Sequence, residues 1–197
     1  MRVSTAPRFE DRPWRWPWVA VAVAISATLL VAWFVRIAGG PTTAGATIPD
    51  GWRTYHAADG AYTVVGPSTP SVDVQNTDLG VQRTVRFTAP QGEILGVESV
   101  DLLANVATGA TEHELVAAWS NRLLGSLNGV IDEQDVLRAG SHPGVALHIE
   151  QGGQRIVVRV FAAGRHLYEV AAVLPAGTSD ADRAAAESFV RSFALTG

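Results

Sequence analysis

Five histidines, at positions 56, 113, 142, 148 and 166, are the side chains here best suited to hold a metal or move a proton near neutral pH. Their spacing assembles no site. No HxH or HExxH pattern occurs. His113 falls in the first turn of an expected helix, where a second ligand on its face would lie three or four residues on. Those positions are Val116 and Ala117. His148 and His166 fall in expected strands and could face each other across neighbouring ones; a solvated strand face is the plainer reading. Asp132, Glu133 and Asp135 form an acidic run without the spacing or the glycine of an EF-hand loop, and read as a solvated loop or strand edge. Ser120, Ser126 and Ser141 lack a nucleophile-elbow context, and no glycine pattern matches a phosphate or dinucleotide loop. The chain has no cysteine, which removes disulfides, thiolate ligands and thiol nucleophiles. The expectation is therefore no catalytic residue, no metal and no cofactor. The remaining candidates are aromatic. Trp52, Tyr55, Tyr62 and Tyr168 lie near expected strand ends, where such rings can line a ligand or partner surface, although core or rim packing is the commoner use.

The elements that must position these residues can be read from pattern. Asp59-Gly60 is a hairpin signal ahead of a short strand, Ala61–Val65. Val81–Thr88 alternates, with Val81, Val85 and Phe87 sharing a face with Arg83, and Leu95–Leu102 is a second apolar run. Thr111 with Glu114 makes a capping box, and Val116, Trp119, Leu123 and Leu127 then form one helical stripe, with Gly125 and Asn128-Gly129 ending it. His142-Pro143-Gly144 reads as a turn before a half-buried strand through Val145, Leu147 and Ile149. Gly152-Gly153 and Gly164 separate two further strands. Ser179 caps a last helix with an apolar face of Ala185, Phe189 and Phe193, widened by Ala186 and Val190, and a solvent-side ladder of Arg183, Glu187 and Arg191. The order is strands, helix, strands, helix, with hairpins between neighbouring strands. That predicts an α+β domain with helices packed on an antiparallel sheet.

Ahead of the domain, the eighteen residues from Trp18 to Val35 carry no charge and would span roughly 27 Å as a helix. Trp14, Trp16 and Trp18 crowd one end and Trp33 lies near the other, as at membrane interfaces. Arg2, Arg8, Arg12 and Arg15 precede the span, and only Arg36 closely follows it, which predicts a cytoplasmic N-terminus and an extracytoplasmic domain. The expected organisation is a tail over 1–17, a transmembrane helix over 18–37, a flexible Gly/Pro/Thr-rich linker over 38–51, and one domain over 52–197. A cleavable signal peptide is the rival, since Ala44-Gly45-Ala46 suits a cleavage site; against it, the apolar run exceeds the usual ~7–15 residues of a signal core. From Thr47 onward ten arginines face seventeen carboxylates, a balance of −7. Such a domain repels nucleic acid, so no nucleic-acid partner is expected.

The stretch GWRTYHAADGAYTVVGPSTP, together with RIVVRVFAAGRHLYEVAAVLPAG and the closing AAAESFVRSFAL, resembles the PsbP-like (Mog-like) domains of anchored or lipidated bacterial envelope proteins, over roughly 52–195. The resemblance implies a binding or assembly-supporting module without a shared catalytic centre. The lipobox cysteine of lipidated members is missing, and a transmembrane helix would replace it. The expected function is thus a single-pass plasma-membrane protein displaying a non-catalytic domain toward a protein partner or a small envelope ligand. An envelope hydrolase, or a lipid- or glycan-binding protein with an unrecognised site, is the alternative.

Overall fold

The computed structural model describes residues 48–89, 92–127 and 129–196. The expected tail (1–17), transmembrane helix (18–37) and most of the linker lie outside the described residues. Among the described residues no helix is long and apolar enough to cross a membrane.

Strands β1 (Arg53–His56) and β2 (Tyr62–Gly66) form the expected hairpin. Asp59 Oδ1 accepts from the Ala61 amide at 3.0 Å, and Gly60 takes the positive φ (71°) that the tight turn needs. The chain then builds β3 (Ser71–Asn76), β4 (Gly80–Thr88) and β5 (Ile94–Leu102) as an antiparallel meander. A short turn of helix, α1 (Ala104–Ala107), leads into α2 (Glu112–Leu127). A second meander follows: β6 (Val130–Ala139), β7 (His142–Gln151), β8 (Gln154–Ala163) and β9 (His166–Leu174). Helix α3 (Asp180–Arg191) and the two-residue β10 (Ala194–Leu195) close the chain, β10 pairing with β2.

The two meanders become one seven-stranded sheet, ordered β3-β4-β5-β9-β8-β7-β6, because β9 returns to pair with β5. Neighbouring strands are therefore not all joined by hairpins, as the pattern suggested. Helix α2 carries the chain across the sheet to its far edge, and the last strand fills the gap. Antiparallel alternation then divides the sheet into two faces. Leu95 and Val97 of β5, Val157 and Phe161 of β8, and Tyr168, Val170 and Ala172 of β9 meet Ala186, Phe189 and Val190 of α3, Phe193, and Tyr62 and Val64 of β2. On the opposite face Val145, Leu147 and Ile149 of β7 and Ile156, Val158 and Val160 of β8 meet Leu115 and Val116 of α2.

Local signals account for both long helices. Thr111 and Glu114 close the expected box: the Glu114 carboxylate accepts from the Thr111 amide at 2.7 Å, and the Thr111 hydroxyl accepts from the Glu114 amide at 3.3 Å. Ser179 Oγ accepts from the Asp182 amide at 3.2 Å. Helix α2 runs through Gly125 to Leu127. Three expectations need correction. His142, Pro143 and Gly144 begin β7, and the turn is made by Gly140 (φ 64°) and Ser141. Proline is tolerated there because Pro143 pairs only with Arg138 of β6, the β8 ladder starting at Gly144. His148 and His166 do not face each other, since β8 separates their strands. The helical ladder is not wholly on the solvent side: Arg183 pairs with Asp180 at 3.3 Å, while Glu187 reaches inward to His148.

Candidate functional site

Helix α2 lies over β7 and β8 and shares its core with Val100 and Leu102 of β5; beside it, the same face of β4 and of β5 around Glu98 is only half-buried. Along this strip the cross-strand register brings Gln82, Thr84 and Arg86 of β4 beside Glu98 and Val100 of β5, and Glu98 directly opposite Glu169 of β9. A groove of about 360 Å³ opens there. Its floor is Gln82, Glu98, Val100 and Glu169; one wall is Trp119, Arg122, Leu123 and Ser126 of α2; the other is the β3–β4 turn, Thr77 to Leu79. That turn is tied down on both sides. Thr77 Oγ1 donates to the Gly80 carbonyl at 2.9 Å, and the Leu103 amide donates to the Leu79 carbonyl at 2.8 Å.

The groove holds an unusual pair. Opposed residues on antiparallel strands have Cβ atoms about 4.5–5.5 Å apart, so the carboxyls of Glu98 and Glu169 share one small volume. Burial pushes both above the usual carboxylate range. For Glu169 the Trp119 indole N–H, donated at 2.8 Å, pulls the other way, and the Glu98 charge adds to the rise. For Glu98 a hydrogen bond from Gln82 and the charges of Arg122 and Arg86 oppose burial. The indole N–H orients Trp119, and the Arg122 guanidinium sits 5.5 Å from the centre of its ring. Trp119 thus stands half-buried at the lip of the helix–sheet core.

The aromatic candidates lie on the opposite face of the sheet. Tyr62 and Tyr168 are 3% and 5% exposed and sit among Phe87, Phe161, Phe189 and Phe193. Their rings lie 5.9 Å apart, edge to face, and Tyr62 is 5.3 Å from Phe193. Trp52 and Tyr55 pack on this core from its rim, partly exposed.

A second polar cluster lies between β6–β8 and α3. Asp132, Glu133 and Asp135 fall on β6, an edge strand, with a register shift between Ile131 and Glu133. His148 Nδ1 lies 2.8 Å from Glu133 and its Nε2 3.1 Å from Glu187, which in turn lies 3.5 Å from Arg191. The hydrogen bond to Glu187 raises the His148 pKa against the effect of burial, and the same bond lowers that of Glu187. Elsewhere, Glu112 accepts from the Gly164 amide at 2.6 Å and lies 3.2 Å from His142, while Asp101 lies 3.7 Å from His166. Each of these histidines is bound to a carboxylate in its own corner of the fold, and among the described residues no group of three or more His, Asp or Glu side chains is arranged to hold a metal ion. Ser120 and Ser126 donate to carbonyls of their own helix.

No known family profile matches the sequence, and no curated protein matches it. The fold does have counterparts among solved structures. The solution structure of cyanobacterial PsbP (CyanoP) from Synechocystis sp. PCC 6803 aligns with a TM-score of 0.53 and 12% identity, over 81% of this chain and 99% of that one. A crystal structure from Bacteroides thetaiotaomicron aligns more loosely, with a TM-score of 0.41 and 7% identity over 75% of this chain and 49% of that one. The domain has the PsbP-like fold, as the sequence resemblance implied.

Proposed function

We propose that this chain is a single-pass envelope protein, held in the plasma membrane by residues 18–37 with its N-terminus in the cytoplasm. Its PsbP-like domain works outside as a non-catalytic binding module. The observation that carries the binding reading is the open strip of sheet beside α2. Beside α2 the sheet leaves a concave, polar-floored groove flanked by a fixed tryptophan. Trp52 and Tyr55 offer a lesser contact surface at the rim of the aromatic core, with Tyr62 and Tyr168 supporting them from beneath. The arginine bias and the length of the apolar run support the topology.

The test is a photo-crosslinking residue at Ser126, on the groove wall, against one at Asp180, on α3, both in the full chain in its membrane. A partner or ligand crosslinked from Ser126, and lost on Ser126→Trp but not on Asp180→Trp, is the expected result. Equal capture from both positions, or capture indifferent to Ser126→Trp, contradicts the reading. A reporter fused after Gly197 tests the orientation: it should work only if its activity requires the outside of the cell. A mature N-terminus at Thr47 would show a cleaved signal in place of an anchor.

One observation favours a hydrolase as second reading. Two opposed carboxyls lining one groove are the kind of pair that glycoside cleavage uses. Turnover of a glycoside that disappears in both Glu98→Gln and Glu169→Gln would establish it.

A further inference from the structure

The groove beside α2 has a ligand chemistry of its own, and the inference rests on the binding-module reading and deepens it. We infer that the groove binds an organic cation, a guanidinium or primary ammonium group, laid against the Trp119 ring and paired with the carboxylates of Glu98 and Glu169.

Three features converge on this. The first is shape: a groove of about 360 Å³ has room for a side-chain-sized cationic group. The second is the recognition set. Glu98 and Glu169 are opposed on adjacent strands, so a single planar guanidinium can serve both carboxylates with its fork of donors. Trp119 is locked in orientation by its own N–H bond to Glu169, leaving its ring to take a cation by its face. Gln82 adds an amide at the floor.

The third feature is that the chain places a cation here itself. Arg122 holds its guanidinium 5.5 Å from the centre of the Trp119 ring, and its charge reaches Glu98. Arg122 lines the groove from α2 and is exposed, so it stands in for a ligand at the mouth of the groove, with solvent open to it when a ligand takes its place. Arg86, the other charge near Glu98, lies in β4 and is not among the residues lining the groove. The energetics agree. The same strip could have been closed by apolar side chains, as it is under α2. Two neighbouring carboxyls, both partly buried, are instead retained where a cation would neutralise them. The acidic balance of the domain, −7 from Thr47 onward, draws cations to the site.

The experiment uses the full chain in a nonionic detergent, labelled with ¹⁵N at its tryptophan indoles. The Trp119 signal is identified by its loss in Trp119→Phe. Arginine amide, spermidine, the peptide Gly-Arg-Gly and the uncharged isostere citrulline amide are titrated in turn. The Trp119 signal should move with a cationic probe and not with citrulline amide. Glu98→Gln and Glu169→Gln should each weaken binding about tenfold, the scale of one charge-assisted contact, while preserving the fold. Arg122→Ala should bind the probe at least as tightly as the unaltered chain, because its internal competitor is gone. Binding of Gly-Arg-Gly as tight as that of arginine amide points to a side chain of a partner protein. Binding confined to the free amines points to a small-molecule source. The inference is overturned if no cation moves the signal, if citrulline amide moves it equally, or if binding survives in Glu98→Gln/Glu169→Gln. The Ser126→Trp variant separates this from failure of the binding reading. A partner still lost with that bulky block, with no cation bound, leaves the groove as a binding site of different chemistry. A partner retained removes the groove reading as well.

Discussion

Glu169 shows what a single side chain contributes and what it costs. Its carboxyl is flanked by an indole donor and by a second carboxyl, and burial raises its pKa. A carboxyl raised in the folded state binds its proton more tightly there than in the unfolded chain, so it weakens the fold once the pH exceeds both values. Glu169→Gln keeps an oxygen for Trp119 and removes the charge. It should stabilise the domain at pH 7 by on the order of 1 kcal/mol, with the advantage disappearing as the pH falls to about 4, as urea midpoints at the two pH values would show. A loss of stability at pH 7 would mean that the pair is already neutralised by its own arginines. His148 behaves in the opposite sense. Its raised pKa gives stability that is complete below the ordinary value of 6.5 and fades as pH climbs through the folded value. Glu187, lowered by the same contact, contributes fully above 4.5 and loses its part as pH falls through its depressed value. The latch between β7 and α3 should therefore be strongest between pH 4.5 and 6.5. His148→Gln should flatten the pH dependence of the melting temperature above that window.

At the scale of elements, the groove depends on how α2 and the β3–β4 turn are held. Thr111→Ala removes the cap that satisfies the first turn of α2 and should cost about 1 kcal/mol, measured by denaturant unfolding. Gly80→Ala should do more. Gly80 has φ 146°, and a Cβ there would strike the Asp101 carbonyl oxygen, part of the β5 backbone. The turn carrying Thr77 to Leu79 would have to shift, so this change should damage cation binding as well as stability. Trp119→Ala should separate the two. The ring is only half-buried at the lip of the core, so about 1–2 kcal/mol is expected, below the ~2–5 kcal/mol of Leu147→Ala at a residue 1% exposed. Binding of the cationic probe should fail in the first variant and persist in folded protein of the second.

For the whole molecule, the described residues contain both apolar cores, one on each face of a continuous sheet. A chain starting near Ile48 should therefore fold alone and unfold in a single cooperative step, with circular dichroism and tryptophan fluorescence giving coincident transitions. Separate transitions would mean that the three-stranded sheet β1-β2-β10 and α3 melt apart from the α2 face. The acidic surface should make association with a basic partner weaken as salt rises.

Much of this was legible in the sequence because it is local. Asp59-Gly60 makes its turn, Thr111 with Glu114 and Ser179 with Asp182 start their helices, and alternation in Val145–Ile149 points apolar residues one way and His148 the other. These follow from neighbouring residues and backbone geometry alone, as do the charge balance and the exclusion of cysteine chemistry. Strands β3 and β6 were harder to read: as sheet edges they are largely exposed, and they lack the apolar alternation that burial imposes. The groove could not be read at all. Glu98 and Glu169 are seventy-one residues apart, and neither stands in a local motif. They meet only because α2 carries the chain over the sheet and β9 returns to pair with β5, a long-range register that no local pattern encodes. Tertiary packing likewise set Tyr62 of the three-stranded sheet against Tyr168 of β9 and buried both rings. Neighbouring residues determined the elements; the long-range pairing of β5 with β9 decided that Glu98 and Glu169 share a site.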